Sequence, residues 1–537
     1  MMQKLPIGES DFRAIIEDNR LYVDKTQQIY NVITGSKPNF FSRPRRFGKS
    51  LIVSIMEHIF AGDKELFKDL WIYDKIDWKP RPVIRISLTE IDYKNTDLET
   101  ALCKYIDLIG ERHNVKLDTH TSKDKLTKLI ELLSVEQRIV ILIDEYDKPI
   151  IDYIDDEKKA EENRDILKNM YGALKDGVVA KHLHFLFITG ISKFSKTSIF
   201  SELNNLDDLT LDPSTIDICG ITQTELEAYF EPYIPQATAN LGLTHKSLLK
   251  ELKRWYNGYS WDGKTFVYNP FSILNFFKKN EIANFWFASG TPTLLLKFIK
   301  KQNINLEYID KVKLSAHSFD TFSIKNIDFN HLLFQTGYLT VKQKTFRKGR
   351  ATYTLGYPNQ EVEESFLKNL MEYRSHQVAS VVDQALLYIQ DALYKNDLES
   401  FIDQLKIIFS DIAYQLHPKH NKKEPTAEDE AKLFKAWEGY FHSIIYLLIK
   451  FLGLHIDAEM SKHQGRIDAK IEVDDYIYIM EFKLDAKPYK AIEQIKEQKY
   501  AEAFKNTSKQ IILVGISFDS KECNVKDWTM EIISSQH

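Results

Sequence analysis

The stretch FSRPRRFGKS, residues 41–50, lies between two apolar runs near the start of the chain. Its last three residues, Gly48, Lys49 and Ser50, fit the end of the phosphate-binding pattern G-x-x-x-x-G-K-[ST]. The position of the first glycine, five residues before Gly48, holds Arg43 instead. By itself this stretch leaves two alternatives open, a phosphate-binding loop with an altered entrance or a basic turn.

The residue types in this stretch suit a phosphate-binding loop. Such a loop places backbone N–H groups at a helix N-terminus, with a lysine for the β- and γ-phosphates and a hydroxyl for Mg²⁺. Gly48 would allow close backbone approach, Lys49 would supply the charge and Ser50 the hydroxyl. The apolar run that begins at Leu51 predicts the helix whose positive end faces the ligand.

Three arginines of the loop and two serines downstream are further candidate ligands. Arg43 stands where no positive φ is needed, and Arg45 and Arg46 would add charge near a polyphosphate. The sequence leaves open whether one arginine projects toward a neighbouring subunit instead. Ser192 and Ser195, just past the apolar run FLFITG, would sense the γ-phosphate, although a serine-rich strand end is also typical of an ordinary turn.

A second motif, RIVILIDEYD at residues 138–147, has five consecutive aliphatic residues followed by Asp144 and Glu145. A fully buried parallel strand has this pattern, and its C-terminal end opens on the ligand crevice of the sheet. Asp144 would hold Mg²⁺ through water, and Glu145 would orient the attacking water. The alternative is a buried strand that ends in acids without a catalytic role. The two motifs together favour a nucleotide site, with ATP and Mg²⁺ as cofactors.

The composition indicates a soluble chain of several domains. With 537 residues the chain is too long for one core, and 43% hydrophobic with 28% charged residues is ordinary for a globular protein. The net charge of −5 means that any polyanion contact must come from a local patch. Three widely spaced cysteines predict neither structural zinc nor disulfides, and no segment resembles a signal peptide or a membrane span. We therefore expect a cytoplasmic enzyme without a membrane partner.

Changes of pattern along the chain predict its organisation. Residues 1–220 alternate apolar runs with helix-like segments, which predicts a mostly parallel sheet covered by helices. Residues 221–290 predict a helical unit and residues 291–416 a middle region. Residues 417–430 are polar and charged throughout and form the predicted linker, so that the last unit spans 431–537.

Within the middle region, residues 331–357 predict a helix, a glycine turn and a two-stranded hairpin. The stretch KQKTFRKGR, residues 342–350, carries five basic residues and no acid, with Phe346 among them. A hairpin with such a tip resembles the wing of a winged-helix module, which contacts phosphates without specifying a sequence. A solvated charged loop is the alternative.

The stretch GRIDAKIEVDDYIYIMEFK, residues 465–483, predicts a second site. If Asp474 and Asp475 form a two-residue hairpin turn, alternate apolar residues share one face, which packs against the core. On the other face Asp468 then lies directly opposite Glu481.

Two carboxylates opposed in this way have Cβ atoms ~5 Å apart and repel each other unless a cation lies between them. Mg²⁺ suits the pair Asp468 and Glu481, because it takes one or two carboxylates with phosphate oxygens and water. Lys483, on the same face, would orient or deprotonate a water, which gives the apparatus for metal-assisted phosphodiester hydrolysis. Glu438 would reach the metal and Gln494 the water or the phosphate. The alternative for the Asp468–Glu481 pair is a solvent-exposed hairpin. The alternative for Glu438 and Gln494 is an ordinary position on a helix surface.

Further motifs occur together along almost the whole chain. They are YVDKT (22–26), RPRRFGKS (43–50), ILIDEYDKP (141–149), TGISKFSKTSIFSELNNLDDLTLD (189–212), GITQTEL, YNGYSW, YNPFSIL and LLFQTGYLT. In these motifs the chain resembles the AAA-ATPase-like family of prokaryotes. An arginine-rich phosphate loop is usual in that family, which implies that the altered loop is a nucleotide-binding Walker A element.

The last unit contains GRIDAKIE, YIYIMEFK and AIEQIKEQKYAEAF, and in these motifs it resembles the PD-(D/E)xK nuclease superfamily domain that is commonly fused to such ATPases. Asp468, Glu481 and Lys483 match the metal and lysine positions of that superfamily. One departure is Ile467, which stands before Asp468 in place of a proline.

The resemblance implies an α/β protein. It would have a P-loop NTPase parallel sheet with a helical lid, a winged-helix-like middle module and a C-terminal restriction-endonuclease-like α/β domain. The function predicted is an ATPase that controls a Mg-dependent nuclease. Its substrate is nucleic acid, with DNA favoured over RNA but the choice left open by the sequence, and the resemblance alone suggests genome defence or mobile-element biology. The alternatives are a nucleotide-dependent switch or a remodeller whose C-terminal domain binds nucleic acid or a partner without cleaving it. A homo-oligomer stays open, because no arginine finger can be assigned.

Overall fold

The structure of the chain is a computed structural model. It describes residues 2–35, 38–192, 203, 206–286, 312–319, 328–375, 379–410, 441, 444–445, 447–450, 455–456, 468–504 and 507–533. The chain forms two compact units, residues 1–301 with 309–362, and residues 302–308 with 363–537. Four features named above lie outside the described residues, namely Ser195, Glu438, Ile467 and the predicted linker 417–430.

A five-stranded sheet organises the first unit. Its strands are β1 (Asn39–Ser42), β2 (Val83–Ser87), β3 (Ile139–Asp144), β4 (Leu183–Gly190) and β5 (Asp207–Asp208). The order is β2-β3-β4-β1-β5, and every neighbouring pair is parallel. The predicted parallel sheet is therefore confirmed, and β1 and β3, which precede the two nucleotide motifs, are separated only by β4.

Helices cover both faces of this sheet. They are α1 (Phe12–Glu17), α2 (Thr26–Thr34), α3 (Lys49–Ala61), α4 (Leu98–Arg112), α5 (Ser122–Leu133), α6 (Lys148–Ile151), α7 (Glu157–Tyr171) and α8 (Asp176–His182). On β3, Ile139, Ile141 and Ile143 belong to a core shared with α4, α5 and α7. Because side chains alternate along a strand, Leu142 and Asp144 belong to the opposite face, where α3 packs. Asp144 thus ends its strand on the side of the phosphate loop.

A helical region follows the sheet, as predicted. It comprises α9 (Gln223–Tyr229), α10 (Ile234–Leu241), α11 (His245–Tyr256) and α12 (Pro270–Lys279). Their apolar faces, with Phe230, Tyr256 and Phe276 at the centre, form a core of their own. The helix starts are defined locally, for example by the capping box in which Thr222 and Glu225 satisfy each other's backbone N–H groups.

The predicted helix, glycine turn and hairpin complete the first unit. They are α13 (Phe329–Thr336) and a three-stranded antiparallel sheet of β6 (Lys313–Ser315), β7 (Thr340–Arg347) and β8 (Arg350–Gly356), in the order β6-β8-β7. Gly337 ends α13 with φ +91°, a left-handed conformation that favours glycine.

The second unit is built on a mixed five-stranded sheet. Its strands are β9 (His455–Ile456), β10 (Ala469–Glu472), β11 (Tyr476–Leu484), β12 (Gln510–Asp519) and β13 (Asn524–Ile533), in the order β13-β12-β11-β10-β9. β11 and β12 are parallel and the other pairs are antiparallel. The helices are α14 (Gln360–Ser375), whose first turn belongs to the first unit, α15 (Ala379–Lys395), α16 (Leu398–Phe409) and α17 (Tyr489–Glu497). No helix in the described ranges combines the length and apolar character needed to cross a bilayer.

The middle region, predicted at 291–416, is divided between the two units. The hairpin β7–β8 belongs to the first unit, whereas α15 and α16 pack with the second sheet. The hydroxyl of Tyr478 on β11 donates to the Leu393 carbonyl of α15 at 2.8 Å, and Asn524 Nδ2 donates to the Lys406 carbonyl of α16 at 3.1 Å. The helices bury their apolar faces on this sheet, and that partnership was not visible in their periodicity.

Candidate functional site

The loop between β1 and α3 makes a tight turn at two residues. Arg46 has φ +69° and Gly48 has φ +89°, and α3 begins at Lys49 directly after them. A Cβ atom on Gly48 would meet no heavy atom within 4 Å, so glycine is favoured there by conformation and not by crowding. Because the left-handed positions are 46 and 48, no glycine is needed at Arg43.

Arg43 packs inside the protein. Its guanidinium donates to three backbone carbonyls, those of Ser42, Thr210 and Thr215, at 2.8–3.0 Å. The Cζ atom lies 3.8 Å from the centroid of the Trp261 ring, and the residue is 1% exposed. Burial lowers the pKa of the guanidinium to about 9, which still leaves it charged at neutral pH. The prediction that Arg43 binds nucleotide therefore needs correction, since the side chain holds the loop to the following segment.

Lys49, Ser50 and Asp144 meet where β3 ends. Lys49 is 5% exposed, and its Nζ donates to the Pro44 carbonyl of its own loop at 3.1 Å. Burial raises the pKa of Asp144, while a hydrogen bond from the Ser50 side chain and the charge of Lys49 oppose that rise. One oxygen, Asp144 Oδ1, is buried and has no hydrogen-bond partner. A hydroxyl, an ammonium group and an orphaned carboxylate oxygen fit the magnesium complex of a nucleoside triphosphate.

Ser192 forms hydrogen bonds inside the protein, whereas a contact with the γ-phosphate was predicted. Its backbone N–H and its hydroxyl both donate to Asp147 Oδ2 at 2.7 Å, and the residue is 1% exposed. The predicted contact of Ser192 with a γ-phosphate therefore needs correction as well. Asp147, the last acid of DEYD, was missed as the residue that ties the end of β4 to the loop after β3. Glu145 remains partly exposed with a left-handed backbone at φ +51°.

Thr189 on β4 was missed by the sequence analysis. It pairs with Phe41 of β1 and lies one residue beyond the registered pair Ile143–Ile188, which puts it beside Asp144 on the α3 face. Its hydroxyl is buried and has no hydrogen-bond partner. The only signal in the sequence was a lone threonine after the apolar run Phe185–Ile188.

Arg45 and Arg46, the exposed arginines of the loop, contact residues of the helical region. Arg45 accepts a hydrogen bond at its carbonyl from Trp286 Nε1 at 3.3 Å, and the Arg46 guanidinium lies 4.6 Å from the Phe271 ring centroid. Both arginines are exposed, and their contact with a polyphosphate stays a prediction. A cavity of about 100 Å³ with mainly apolar walls lies next to the loop and is lined by Tyr22, Gly48, Leu51, Ile221, Pro270 and Leu274, among others.

Glu361 is a buried acid that holds Trp286, the residue that contacts the phosphate loop. Its two carboxylate oxygens accept hydrogen bonds from the Trp286 backbone N–H and from the Ser272 hydroxyl, each at 2.7 Å. The residue is fully buried, and burial raises the pKa of its carboxyl from 4.5 to about 7. Since the same Trp286 holds the Arg45 carbonyl, the position of the loop depends on this buried acid.

Replacing Glu361 with glutamine is expected to flatten the dependence of stability on pH. The folded-state pKa lies above the unfolded value, so the folded state binds more protons between about pH 4.5 and 7, and the free energy of unfolding falls as pH rises through that window. The loss is on the order of 3 kcal/mol. Glu361→Gln should be more stable than the wild type at pH 8, measured by thermal unfolding from pH 5 to 8. Glu364→Gln on the same helix is the control, and an equal effect there would contradict the prediction.

The hairpin β10–β11 has the predicted register. Ala469 pairs with Met480 and Ile471 with Tyr478, and the turn lies at Asp474-Asp475. The apolar set packs inside, as expected. The second face of this hairpin is covered too, because residues such as Ile479 form a core with α17. The alternative of a solvent-exposed hairpin is therefore wrong.

The opposed acids lie at the open end of this hairpin. Glu481 is 2% exposed, with Oε1 at 3.1 Å from Lys483 Nζ and with Oε2 buried and lacking a hydrogen-bond partner. Asp468 Oδ2 accepts a hydrogen bond from the Phe482 backbone N–H at 2.8 Å. Burial, followed by the charge of Asp468, raises the pKa of Glu481 to about 7. The environment disfavours the second negative charge, which a divalent cation would stabilise.

Lys483 is oriented by a second contact. Its Nζ donates to Gln494 Oε1 of α17 at 2.5 Å, so the predicted additional residue Gln494 does lie next to Lys483. Across the described ranges, no cluster of three or more His, Cys, Asp or Glu side chains is arranged to hold a metal. Among the described residues the site therefore offers two carboxylates, those of Asp468 and Glu481. Two carboxylates fit Mg²⁺ when phosphate and water fill its remaining coordination positions.

Gly515 was also missed, although it brings α17 to the site. It pairs with Glu481 in the sheet, and a Cβ atom there would lie 2.3 Å from the Pro488 carbonyl oxygen at the start of α17. Only glycine lets the helix approach the strand closely enough for Gln494 to reach Lys483.

Replacing Gly515 with alanine is expected to displace α17. The added methyl cannot fit against a backbone carbonyl, and such overpacking costs about 1–3 kcal/mol. Thermal unfolding of the variant should begin at a lower temperature than that of the wild type. Gly177→Ala, where nothing lies within 4 Å of the new methyl, is the matched control, and an equal loss there would count against the explanation.

Comparisons with known proteins find a family for each of the two regions that contain these sites. The family profile "Predicted AAA-ATPase" matches residues 6–200, and the profile "PD-(D/E)XK nuclease superfamily" matches residues 436–528. A protein of Azotobacter chroococcum mcd 1, described as "Uncharacterized protein in vnfD 5'region", is 34% identical over 98% of this chain and 99% of its own length. No solved structure matches the chain.

The fold and the paired motifs define a P-loop-like ATPase domain joined to a nuclease-superfamily domain. The chain belongs to the AAA-ATPase-like family, in the form that carries a C-terminal PD-(D/E)XK nuclease superfamily domain.

Proposed function

We propose that this protein binds and hydrolyses ATP and couples it to Mg-dependent cleavage of nucleic acid phosphodiesters, an activity suited to genome defence or mobile-element biology. One observation carries the proposal. Glu481 is a buried carboxylate opposite Asp468, and one of its oxygens has no hydrogen-bond partner. A domain that only binds nucleic acid has no need for opposed acids, which repel each other when no cation is present.

Each residue of the C-terminal site has a defined part in this proposal. Asp468 and Glu481 would hold Mg²⁺, which when bound polarises the phosphate and lowers the pKa of a water. Lys483, fixed between Glu481 and Gln494, would orient that water and stabilise the developing negative charge on the phosphate. The Asp468 carboxylate is itself held in place by the Phe482 N–H. The arrangement supports hydrolysis more than simple binding.

The nucleotide site is proposed at the loop of the first unit. Lys49 would contact the β- and γ-phosphates, Ser50 and Asp144 would hold Mg²⁺, and Glu145 would orient the attacking water. The neighbouring cavity, with its mainly apolar walls, has the character needed for the base of the nucleotide.

A cleavage panel tests the proposal. Single- and double-stranded DNA and RNA would be incubated with and without ATP and Mg²⁺, using the wild type, Lys49→Ala and Asp468→Ala. We expect Mg-dependent cleavage that ATP modulates, that Asp468→Ala abolishes and that Lys49→Ala uncouples from ATP. Absence of cleavage for every substrate, with ATP hydrolysis intact, would favour a nucleotide-dependent switch or remodeller instead.

A further inference from the structure

The hairpin β7–β8 ends in an exposed basic tip. Its turn consists of Lys348 and Gly349, whose φ angles of +50° and +75° suit a two-residue turn with both residues left-handed. Arg347 and Arg350 flank the turn and pair directly with each other across the hairpin. Phe346, the preceding residue, is 69% exposed.

The arginine pair at this tip is unfavourable in the protein alone. Like charges directly opposite each other destabilise an antiparallel pair. Arg347, Lys348 and Arg350 form no ion pair with any described residue that would offset the repulsion. The whole chain is acidic, with a net charge of −5, so this concentration of positive charge is local. A bound polyanion would supply negatively charged partners for all three side chains.

The exposed phenylalanine narrows the class of polyanion. Phe346 pairs with Ala351, and because side chains alternate, its ring lies on the face opposite to the arginine pair. Lys344 Nζ lies 5.4 Å from the ring centroid, so one cation lies beside the ring. A nucleic acid offers both phosphates and flat bases to such a tip, whereas an acidic peptide offers charge alone.

The base of the hairpin is attached to the segment 257–263, which also packs on the phosphate loop. Tyr259 stands edge-on to Phe47 of the loop, with ring centroids 4.7 Å apart. The next residue, Ser260, donates its N–H to Thr340 Oγ1 on β7 and accepts the Thr340 hydroxyl at its carbonyl, both at 2.7 Å. Two consecutive residues, Tyr259 and Ser260, therefore connect the phosphate loop to the hairpin.

We propose that the tip of β7–β8 is a nucleic-acid-binding element whose affinity depends on the nucleotide bound at the phosphate loop. Arg347, Lys348 and Arg350 contact backbone phosphates, and Phe346 stacks on a base. This inference goes beyond the cleavage centre and takes only its ligand class from the proposed function. By thermodynamic linkage, nucleic acid changes the affinity for nucleotide by the same factor.

Binding to the tip is tested with the full-length chain carrying Lys483→Ala, which prevents cleavage. The probes are fluorescein-labelled DNA and RNA of equal length, single- and double-stranded, followed by anisotropy. Arg347→Ala/Lys348→Ala/Arg350→Ala should lower the affinity by about 10- to 100-fold near 0.1 M salt and reduce the salt slope by about 2 to 3. Phe346→Ala should lower the affinity for single strands by about tenfold.

A matched control removes the same charge from another surface. Lys246, Lys250 and Lys253 are exposed on α11, and their combined replacement by alanine should change the affinity by less than about threefold. An equal loss in this control, no loss in the hairpin variant, or equally effective displacement of the strand by polyglutamate would each overturn the proposed site.

The nucleotide dependence is tested in the same assay. A non-hydrolysable ATP analogue with Mg²⁺ should change the affinity for nucleic acid by at least about fivefold relative to ADP. Thr340→Val keeps the shape of Thr340 and removes its two hydroxyl hydrogen bonds to Ser260, while the bond from the Val341 N–H to the Ser260 carbonyl remains. This variant should reduce that difference and retain binding without nucleotide. Equal affinity with both nucleotides would overturn the coupling. Hairpin-dependent binding by the Lys483→Ala chain, together with a wild type that cleaves no substrate of the cleavage panel, would overturn the nuclease proposal alone, so the two failures are distinguishable.

Discussion

Replacing Glu481 with glutamine is expected to remove nuclease activity while leaving the second unit folded. The amide keeps the shape of the side chain but loses one of the two charges proposed to hold Mg²⁺. Since a bound metal supplies several kcal/mol of charge stabilisation, cleavage should fall on the order of 10²- to 10³-fold. The measurement is the initial rate of cleavage at several Mg²⁺ concentrations.

The same change should not lower stability, which separates a functional acid from a structural one. Glu481 is buried next to Asp468, and removing its charge removes both a desolvation cost and a repulsion. Glu472, on the same hairpin, is instead ion-paired with Lys470 and Lys509 at 3.0–3.1 Å. Glu472→Gln should therefore cleave normally and unfold slightly earlier. A Glu481→Gln variant that cleaves like the wild type would end the hydrolytic interpretation of this site.

Replacing Lys49 with alanine is expected to abolish nucleotide binding at useful concentrations. The ammonium group is held in the loop by the Pro44 carbonyl, so it is already positioned for a phosphate. Removing one partner of a desolvated, charge-assisted contact costs roughly 2–5 kcal/mol, which corresponds to a loss of affinity of about 30-fold or more. Calorimetric titration with ATP and Mg²⁺ measures this loss.

Two comparisons make the Lys49 result specific. Lys128→Ala changes an exposed lysine on α5 and should bind ATP like the wild type. Arg46→Ala removes an exposed loop charge beside the same site and should weaken binding less than Lys49→Ala does, because an exposed charge is screened by solvent. If Lys49→Ala retains wild-type affinity and its fold, the loop does not bind the phosphates of ATP.

Local patterns predicted the elements of both sites. Five aliphatic residues followed by acids gave the buried strand β3 with Asp144 at its end. Strict alternation around Asp474-Asp475 gave the register of β10–β11, because a shift by one residue would have turned every apolar side chain outward. The opposition of Asp468 and Glu481 followed directly from that register.

Contacts distant in sequence explain where prediction failed. Arg43 and Ser192 had the right residue types for a phosphate site, but carbonyls from Thr210 and Thr215 and the carboxylate of Asp147 engage their polar atoms. Thr189 could not be recognised from the sequence, because its position at the site depends on Asp144 in the neighbouring strand. The division of the middle region was likewise hidden, since an amphipathic helix does not indicate which sheet will cover its apolar face.

The sequence by itself determined the buried strand β3, the register of β10–β11 and the residue types at both phosphate-handling sites, because periodicity and turn chemistry act over a few residues. Only the tertiary structure decided which polar groups are free to meet a ligand. Hydrogen-bond partners and burial are set by packing between segments far apart in the chain, as in the turning of Arg43 into the core and the approach of α17 to Gly515 that brings Gln494 to Lys483.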